Sequence, residues 1–254
     1  AGVDALGIDR FAPPHAQGSS HGDTRITRMA VGEGEDYVPF VVRSHAIWKE
    51  LEAATGTSLL TECGALIVAP GDLKSSHHGK PDFLARTFAA AERFAIPHER
   101  LEAGQIRARF PHLSGITDDA IAYFEPGGGF VRPELCIETQ LGEARRHGAH
   151  LKTDTTVLAI EAIEGGVRIE TDAGAIRARR VVVCAGAWNA ALLGAPFDDL
   201  LSVNRQVLHW FELERSESAS EPVIIWMHGA GDSDYFYGFP PLPGEGAQKF
   251  ATET

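Results

Sequence analysis

Three valines and a cysteine in a row, Val181–Cys184, followed at once by Ala185-Gly186-Ala187-Trp188, constrain the fold of this chain more than any other stretch. Four apolar residues without alternation suit neither a half-buried antiparallel strand nor a short amphipathic helix. They suit a strand covered on both faces, as in the middle of a parallel sheet flanked by helices. The small residues that follow let backbone come close to a ligand.

A second apolar run, beginning at Val3, ends at Ile8-Asp9. In dinucleotide-binding folds the second parallel strand ends in an acid that accepts hydrogen bonds from a ribose hydroxyl. Asp9 stands at that place, although an ordinary strand-end aspartate reads the same way. The G-x-G-x-x-G turn that belongs roughly 20 residues before such an acid does not precede it in these residues. Next comes the loop Gly18-Ser19-Ser20-His21-Gly22-Asp23-Thr24-Arg25-Ile26-Thr27-Arg28. Its glycines admit close backbone approach, Ser19, Ser20 and Thr24 offer hydroxyls, and Arg25 and Arg28 offer forked donors to phosphate or carboxylate. A solvated loop with helix caps is the plainer alternative.

Further along, Ile47, Leu51 and Ala54 at helical spacing before Gly56 predict an amphipathic helix over 43–55 with a glycine stop. A buried strand is expected over 63–69, a polar loop over 70–81, and helices over 82–94 and 102–110. Pro133 opens a helix running to Arg146, with Ile137, Leu141 and Ala144 facing inward and Gly148 ending it. Strands over 157–162, 166–171 and 176–178 form a small meander around the Asp172-Ala173-Gly174 turn. From 203 onward, Val207, His209 and Phe211, then Val223, Ile225 and Met227, alternate as strands of an antiparallel sheet. The expected fold class is α/β with α+β: a Rossmann-like, dinucleotide-binding domain joined to an antiparallel-sheet domain.

With 254 residues, 44% of them hydrophobic, the chain can bury one large core or two small ones. A net charge of −12 disfavours nucleic acid and anionic membrane surfaces, both of which need a basic face. Small molecules are the expected partners. No window of about 20 residues is continuously apolar, and the first residues lack a signal-peptide pattern, so the cytoplasm is the expected compartment. Cys63, Cys136 and Cys184 have no C-x-x-C spacing and read as reduced, small buried hydrophobes.

The run from Gly2 to Arg28, with Phe11-Ala12-Pro13-Pro14-His15 and Ser20-His21-Gly22-Asp23-Thr24-Arg25-Ile26, resembles the flavin-dependent amine oxidases of the monomeric sarcosine oxidase and N-methyltryptophan oxidase family. Further matching segments are Gly32-Glu33-Gly34, Tyr37-Val38-Pro39, Phe124-Glu125-Pro126, Ala185-Gly186-Ala187-Trp188-Asn189 and Tyr237-Gly238-Phe239-Pro240. The resemblance runs to about Lys249 and covers the middle of such an enzyme. It implies an incomplete FAD-binding domain over 1–62 and 130–202 and a substrate-binding domain over 63–129 and 203–254. The implied activity is oxidation of the C–N bond of a secondary (N-methyl) amino acid, with O2 as acceptor giving hydrogen peroxide. FAD carries the redox step, so the protein must bind it, hold the amino acid and tune charge. The cysteine to which such enzymes attach FAD covalently matches none of the three present.

By matching position, the resemblance implies that Lys249 promotes the reaction with O2 as a fixed cation, and that Arg28 grips the substrate carboxylate. It implies that Arg25 and His21 bring positive charge to the flavin ring and that Tyr237 lines the amine pocket, with Glu33 nearby. Asp9, Ser19, Ser20, Thr24, Val157, Ala185, Gly186 and Trp188 are the implied FAD contacts. Two positions depart from the family: Glu253 where a histidine is expected, and Val31 where a tyrosine is expected. Substrate size and identity are therefore expected to differ, and without the glycine-rich turn flavin affinity is expected to fall. A metal hydrolase built from His15, His21, Asp23, His77 and His78 is disfavoured because no H-E-x-x-H is present. A Ser20-His21-Asp23 triad is disfavoured because triad members meet in space rather than in sequence. The remaining rival is a non-catalytic fragment or remnant that does not retain FAD.

Overall fold

The computed structural model describes residues 2–71, 80–213, 221–231 and 233–252, so the expectations placed on His77, His78 and Glu253 lie outside the described residues. Along the chain the elements are β1 (Leu6–Ile8), β2 (Arg25–Thr27), α1 (Val38–Thr55), β3 (Leu60–Thr61), β4 (Ala65–Ala69), α2 (Phe83–Arg93), β5 (Glu99–Glu102) and α3 (Ala103–Arg109). There follow β6 (Ile121–Glu125), β7 (Gly129–Val131), α4 (Pro133–Arg146), β8 (His150–Lys152), β9 (Val157–Ile163), β10 (Gly166–Thr171) and β11 (Gly174–Ala178). The last are α5 (Asn189–Leu193), α6 (Phe197–Leu200), β12 (Leu208–Glu212), β13 (Val223–Met227), β14 (Tyr235–Gly238) and β15 (Ala247–Ala251). They form two compact units: Ala1–Asp23 with Pro133–Arg205, and Thr24–Arg132 with Gln206–Thr254. Residues 24–62, expected to belong with the first unit, pack in the second because β2 and β3 both pair with β7 there.

In the first unit β1 and β8 pair in parallel, and the Asp9 amide extends the ladder by donating to the Lys152 carbonyl at 2.9 Å. The helix α4 leads into β8 and opens on Pro133, whose missing N–H costs nothing in the first turn. The chain leaves α4 through Gly148 at φ 87°, a left-handed position that suits glycine. Pro133, Cys136 and Thr139 are the buried positions within α4, while the expected inward trio Ile137, Leu141 and Ala144 is only half-buried. β9, β10 and β11 form the expected antiparallel meander.

Val181–Cys184 is not a strand, which corrects the first expectation above. Val182 is 84% exposed and Cys184 is exposed as well. Strand identity is conferred by neighbouring N–H and C=O groups as much as by apolar side chains, and among the described residues no segment pairs with this run.

The second unit is built on a seven-stranded sheet of order β12-β15-β14-β13-β4-β6-β5, antiparallel except for the β13–β4 pair. β4 is buried at every position, as its unbroken Ala-Leu-Ile-Val-Ala run requires. Leu66, Val68, Ala122, Phe124 and Ile224 face α3 on one side. Ile67, Tyr123 and Ile225 face Ala30, Val38 and Phe83 on the other. α3 starts in a reciprocal cap between Glu102 and Gln105. α1 begins at Val38, five residues before the expected start, and ends at Gly56 as expected, with φ 71°.

The buried positions of α1 are Val38 and His45, whereas Ile47 and Ala54, expected to face inward, are exposed. On the buried side His45 Nε2 hydrogen-bonds Thr27 Oγ1 of β2 at 2.7 Å, a partner no helical periodicity could reveal. Burial holds the His45 pKa below its ordinary 6.5, with Glu125 and Glu62 partly opposing. The folded chain therefore binds this proton less readily than the unfolded one, so the His45 contribution to stability is complete above the unfolded value and falls as pH drops toward the folded pKa. Thermal unfolding measured from about pH 8 to about pH 5 is expected to lose Tm on the acid side, and His45→Gln to lose less. An identical acid-side loss in the variant would assign the titration to another group.

Candidate active site

Side chains alternate along a strand, and residues directly opposite on neighbouring strands share a face. The registers Trp210–Lys249, Tyr237–Ala251, Tyr237–Ile225, Ile225–Ile67, Ile67–Tyr123 and Ala65–Glu125 therefore put Trp210, Lys249, Tyr237, Tyr123 and Glu125 on one face of the large sheet. This is the face covered by Ala30, Val38 and Phe83.

Lys249 is 4% exposed. Its Nζ donates to the Thr24 carbonyl at 2.7 Å and lies 4.0 Å from the Phe239 ring centroid and 5.9 Å from that of Trp210. A buried ammonium is costly without such acceptors, and the carbonyl and ring faces supply them. Arg25 is half-buried and directs Nη1 to the same Thr24 carbonyl at 3.2 Å. One backbone oxygen thus gathers two cations within about 6 Å of each other.

Thr24 precedes β2 and Arg28 follows it, so the strand's rise separates their backbones by about 13 Å. Arg28 Nη2 grips both oxygens of Glu33 at 2.7 and 2.8 Å, and the guanidinium carbon lies 5.6 Å from the Phe83 ring centroid. Arg28 Nε is buried and makes no hydrogen bond among the described residues. Tyr237 is half-buried, with its ring edge-on to Phe239 at 6.1 Å.

The first unit carries the remaining predicted residues. Asp9 stands just past the carboxyl end of β1, where Oδ1 accepts the Phe11 amide at 2.8 Å and lies 3.4 Å from His15 Nε2. The Phe11 ring lies 5.9 Å from that of Trp188, so the Asp9 turn and the 185–188 turn meet. The Ala185 amide donates to Asn189 Oδ1 at 3.0 Å, and Gly186 has φ 53°. Ser19 and Ser20 are exposed, His21 is half-buried, and Val157 is half-buried on β9. Glu134 on α4 takes the amides of Gly22 and Asp23 at 2.5 and 3.3 Å, so a carboxylate of the same unit holds the backbone of this loop. Among the described residues no group of three or more His, Cys, Asp or Glu side chains could hold a metal ion.

The family described as FAD dependent oxidoreductase matches residues 1–247. The chain belongs to that family. It is 35% identical over 252 residues to a monomeric sarcosine oxidase of Streptomyces avermitilis, covering 96% of this chain and 61% of the relative. It is 36% identical over 240 residues to an N-methyl-L-tryptophan oxidase of Yersinia pestis, covering 94% and 62%. The chain thus spans about three fifths of the length of these relatives. Its fold is that of NikD, an unusual amino acid oxidase essential for nikkomycin biosynthesis, with a TM-score of 0.78 at 23% identity over 99% of this chain and 64% of that one. Glycine oxidase from Geobacillus kaustophilus shares it at a TM-score of 0.65 and 22% identity, over 98% and 64%. No described helix is long and apolar enough to cross a membrane.

Sequence reasoning did not single out Tyr123, Glu125 or Phe239 as site residues. The signal for Glu125 was present: it lies two residues from Tyr123 on a strand whose neighbours are apolar, so period-2 alternation turns a carboxylate into the core. An acid at a core position requires partners, and that requirement marks it.

Proposed function

We propose that the whole protein is an FAD-dependent oxidase of secondary, N-methyl amino acids in the cytoplasm, with O2 as the electron acceptor and hydrogen peroxide as product. The observation that carries this reading is the arrangement about β2: Lys249 and Arg25 converge on the Thr24 carbonyl at one end, and Arg28 Nη2 holds both oxygens of a carboxylate at the other. The sarcosine and N-methyltryptophan oxidases among its relatives support the choice of amine.

The residues of the first unit fit a flavin dinucleotide. Asp9 at the end of a parallel strand suits a ribose hydroxyl, and a Cβ added at Gly186 would meet nothing within 4 Å, so backbone there is open to a ligand. Ser19, Ser20, Val157, Ala185 and Trp188 would complete its surroundings. FAD supplies the two-electron oxidation of the amine and the return of those electrons to O2. Arg28 binds the amino acid's carboxylate in a two-pronged, charge-assisted contact, displacing or sharing Glu33. Tyr237 bounds the amine, Arg25 and His21 favour negative charge on the cofactor ring, and Lys249 stabilises charge that develops on O2.

The deciding experiment is the visible spectrum of the FAD-loaded protein, recorded without oxygen before and after addition of an N-methyl amino acid. Bleaching by the amino acid and recovery on admitting air, with peroxide formed, is the expected result. Bound flavin that keeps its colour in the presence of such substrates overturns the assignment.

A further inference from the structure

We propose that Glu125 is a positioning residue for the substrate carboxylate, acting through the two backbone amides that follow Arg28. The proposal rests on the reading of Arg28 as the carboxylate-binding residue.

Glu125 is the last residue of β6 and is fully buried. Its Oε1 accepts the Met29 amide at 2.6 Å, and its Oε2 accepts the Ala30 amide at 3.1 Å and the Tyr123 hydroxyl at 2.7 Å. Among the described residues it has no ion-pair partner, so these donors carry the cost of burying the group. Met29 and Ala30 leave β2 without a ladder of their own, since pairing with β7 ends at Thr27. The carboxylate supplies the missing acceptors and ties the chain immediately after Arg28 to the large sheet.

The group must be a carboxylate and not merely polar. Each oxygen accepts at least one N–H, and a glutamine would turn its own NH2 toward one of the two amides. Tyr123 supports the same arrangement, because burial and the neighbouring Glu125 keep its hydroxyl protonated and therefore a donor. The segment held in this way carries a guanidinium whose usefulness depends on direction: a fork aligns with a carboxylate only when its plane is fixed. Arg28 is itself packed against Phe83 and Glu33, so a backbone shift at Met29 and Ala30 would tilt the fork without removing it.

The test compares Glu125→Gln with the FAD-loaded wild type in two readouts. Hydrogen exchange of the segment 25–31, followed by mass spectrometry, is expected to quicken about tenfold or more as one of the two amides loses its acceptor and faces an NH2 group. KM for an N-methyl amino acid is expected to rise about 10- to 100-fold while kcat changes less than about threefold, and N-methyl amines without a carboxylate should keep their KM. If Glu125→Gln does not fold, Tyr123→Phe removes one donor only and is expected to raise the same KM about three- to tenfold, with kcat again unchanged. Wild-type protein that shows no preference for carboxylate-bearing amines overturns the functional reading and this proposal together. Wild-type preference retained by the variants, with unaltered KM and unaltered exchange, overturns the positioning role alone.

Discussion

Lys249→Met is expected to slow the reaction of the reduced flavin with O2 by about 100- to 1000-fold, while reduction of the flavin by substrate changes less than about tenfold. The asymmetry follows from where charge appears. The buried ammonium, fixed by the Thr24 carbonyl and by the faces of Phe239 and Trp210, does not have to reorganise when electrons reach O2, and in a site screened from water a fixed cation acts strongly. Methionine keeps most of the volume and the contact with the aromatic rings, so the substitution removes charge more than packing. Arg25 retains its bond to Thr24 in the variant, which preserves the anchor at the start of β2. Rapid mixing of the anaerobically reduced protein with oxygenated buffer measures one half-reaction, and anaerobic mixing with substrate measures the other. Equal slowing of both would remove Lys249 from the oxygen step.

Arg28→Ala is expected to lower kcat/KM for N-methyl amino acids by about 100- to 10,000-fold, the loss of two charge-assisted hydrogen bonds of about 1.5–3 kcal/mol each. Amines without a carboxylate should change by about threefold or less. Arg28→Lys should recover only part of the loss, since a compact ammonium cannot offer a substrate carboxylate the planar pair of donors that a guanidinium presents. Steady-state kinetics on paired substrates, one with and one without the carboxylate, separates these outcomes. A variant that still prefers amino acids over plain amines to the same degree would falsify the assignment.

Local patterns were sufficient for much of the architecture. The unbroken apolar run of β4, the glycine after α1, the proline opening α4 and the tight turn between β10 and β11 each depend on neighbours within a few residues, and each formed as its residues predict. The resemblance to the sarcosine oxidase family rested on motifs of the same local kind, and the family match over residues 1–247 agrees with it. Val181–Cys184 failed because apolarity alone does not supply a strand with partners. The inward face of α1 failed because the buried side of the helix carries His45, bonded to Thr27, and not the apolar stripe through Ile47.

The sequence by itself determined the class of protein, the helices and strands whose signals are local, and the residue types available for binding an anion and a carboxylate. Only the tertiary structure decided which of them meet. Lys249 reaches the carbonyl of Thr24, 225 positions away, and Glu125 reaches the amides of Met29 and Ala30 across 96 and 95 positions. Contacts of that separation depend on strand order and register in the folded sheet, which no spacing in the chain encodes, and a backbone acceptor carries no side-chain signature to be read in advance.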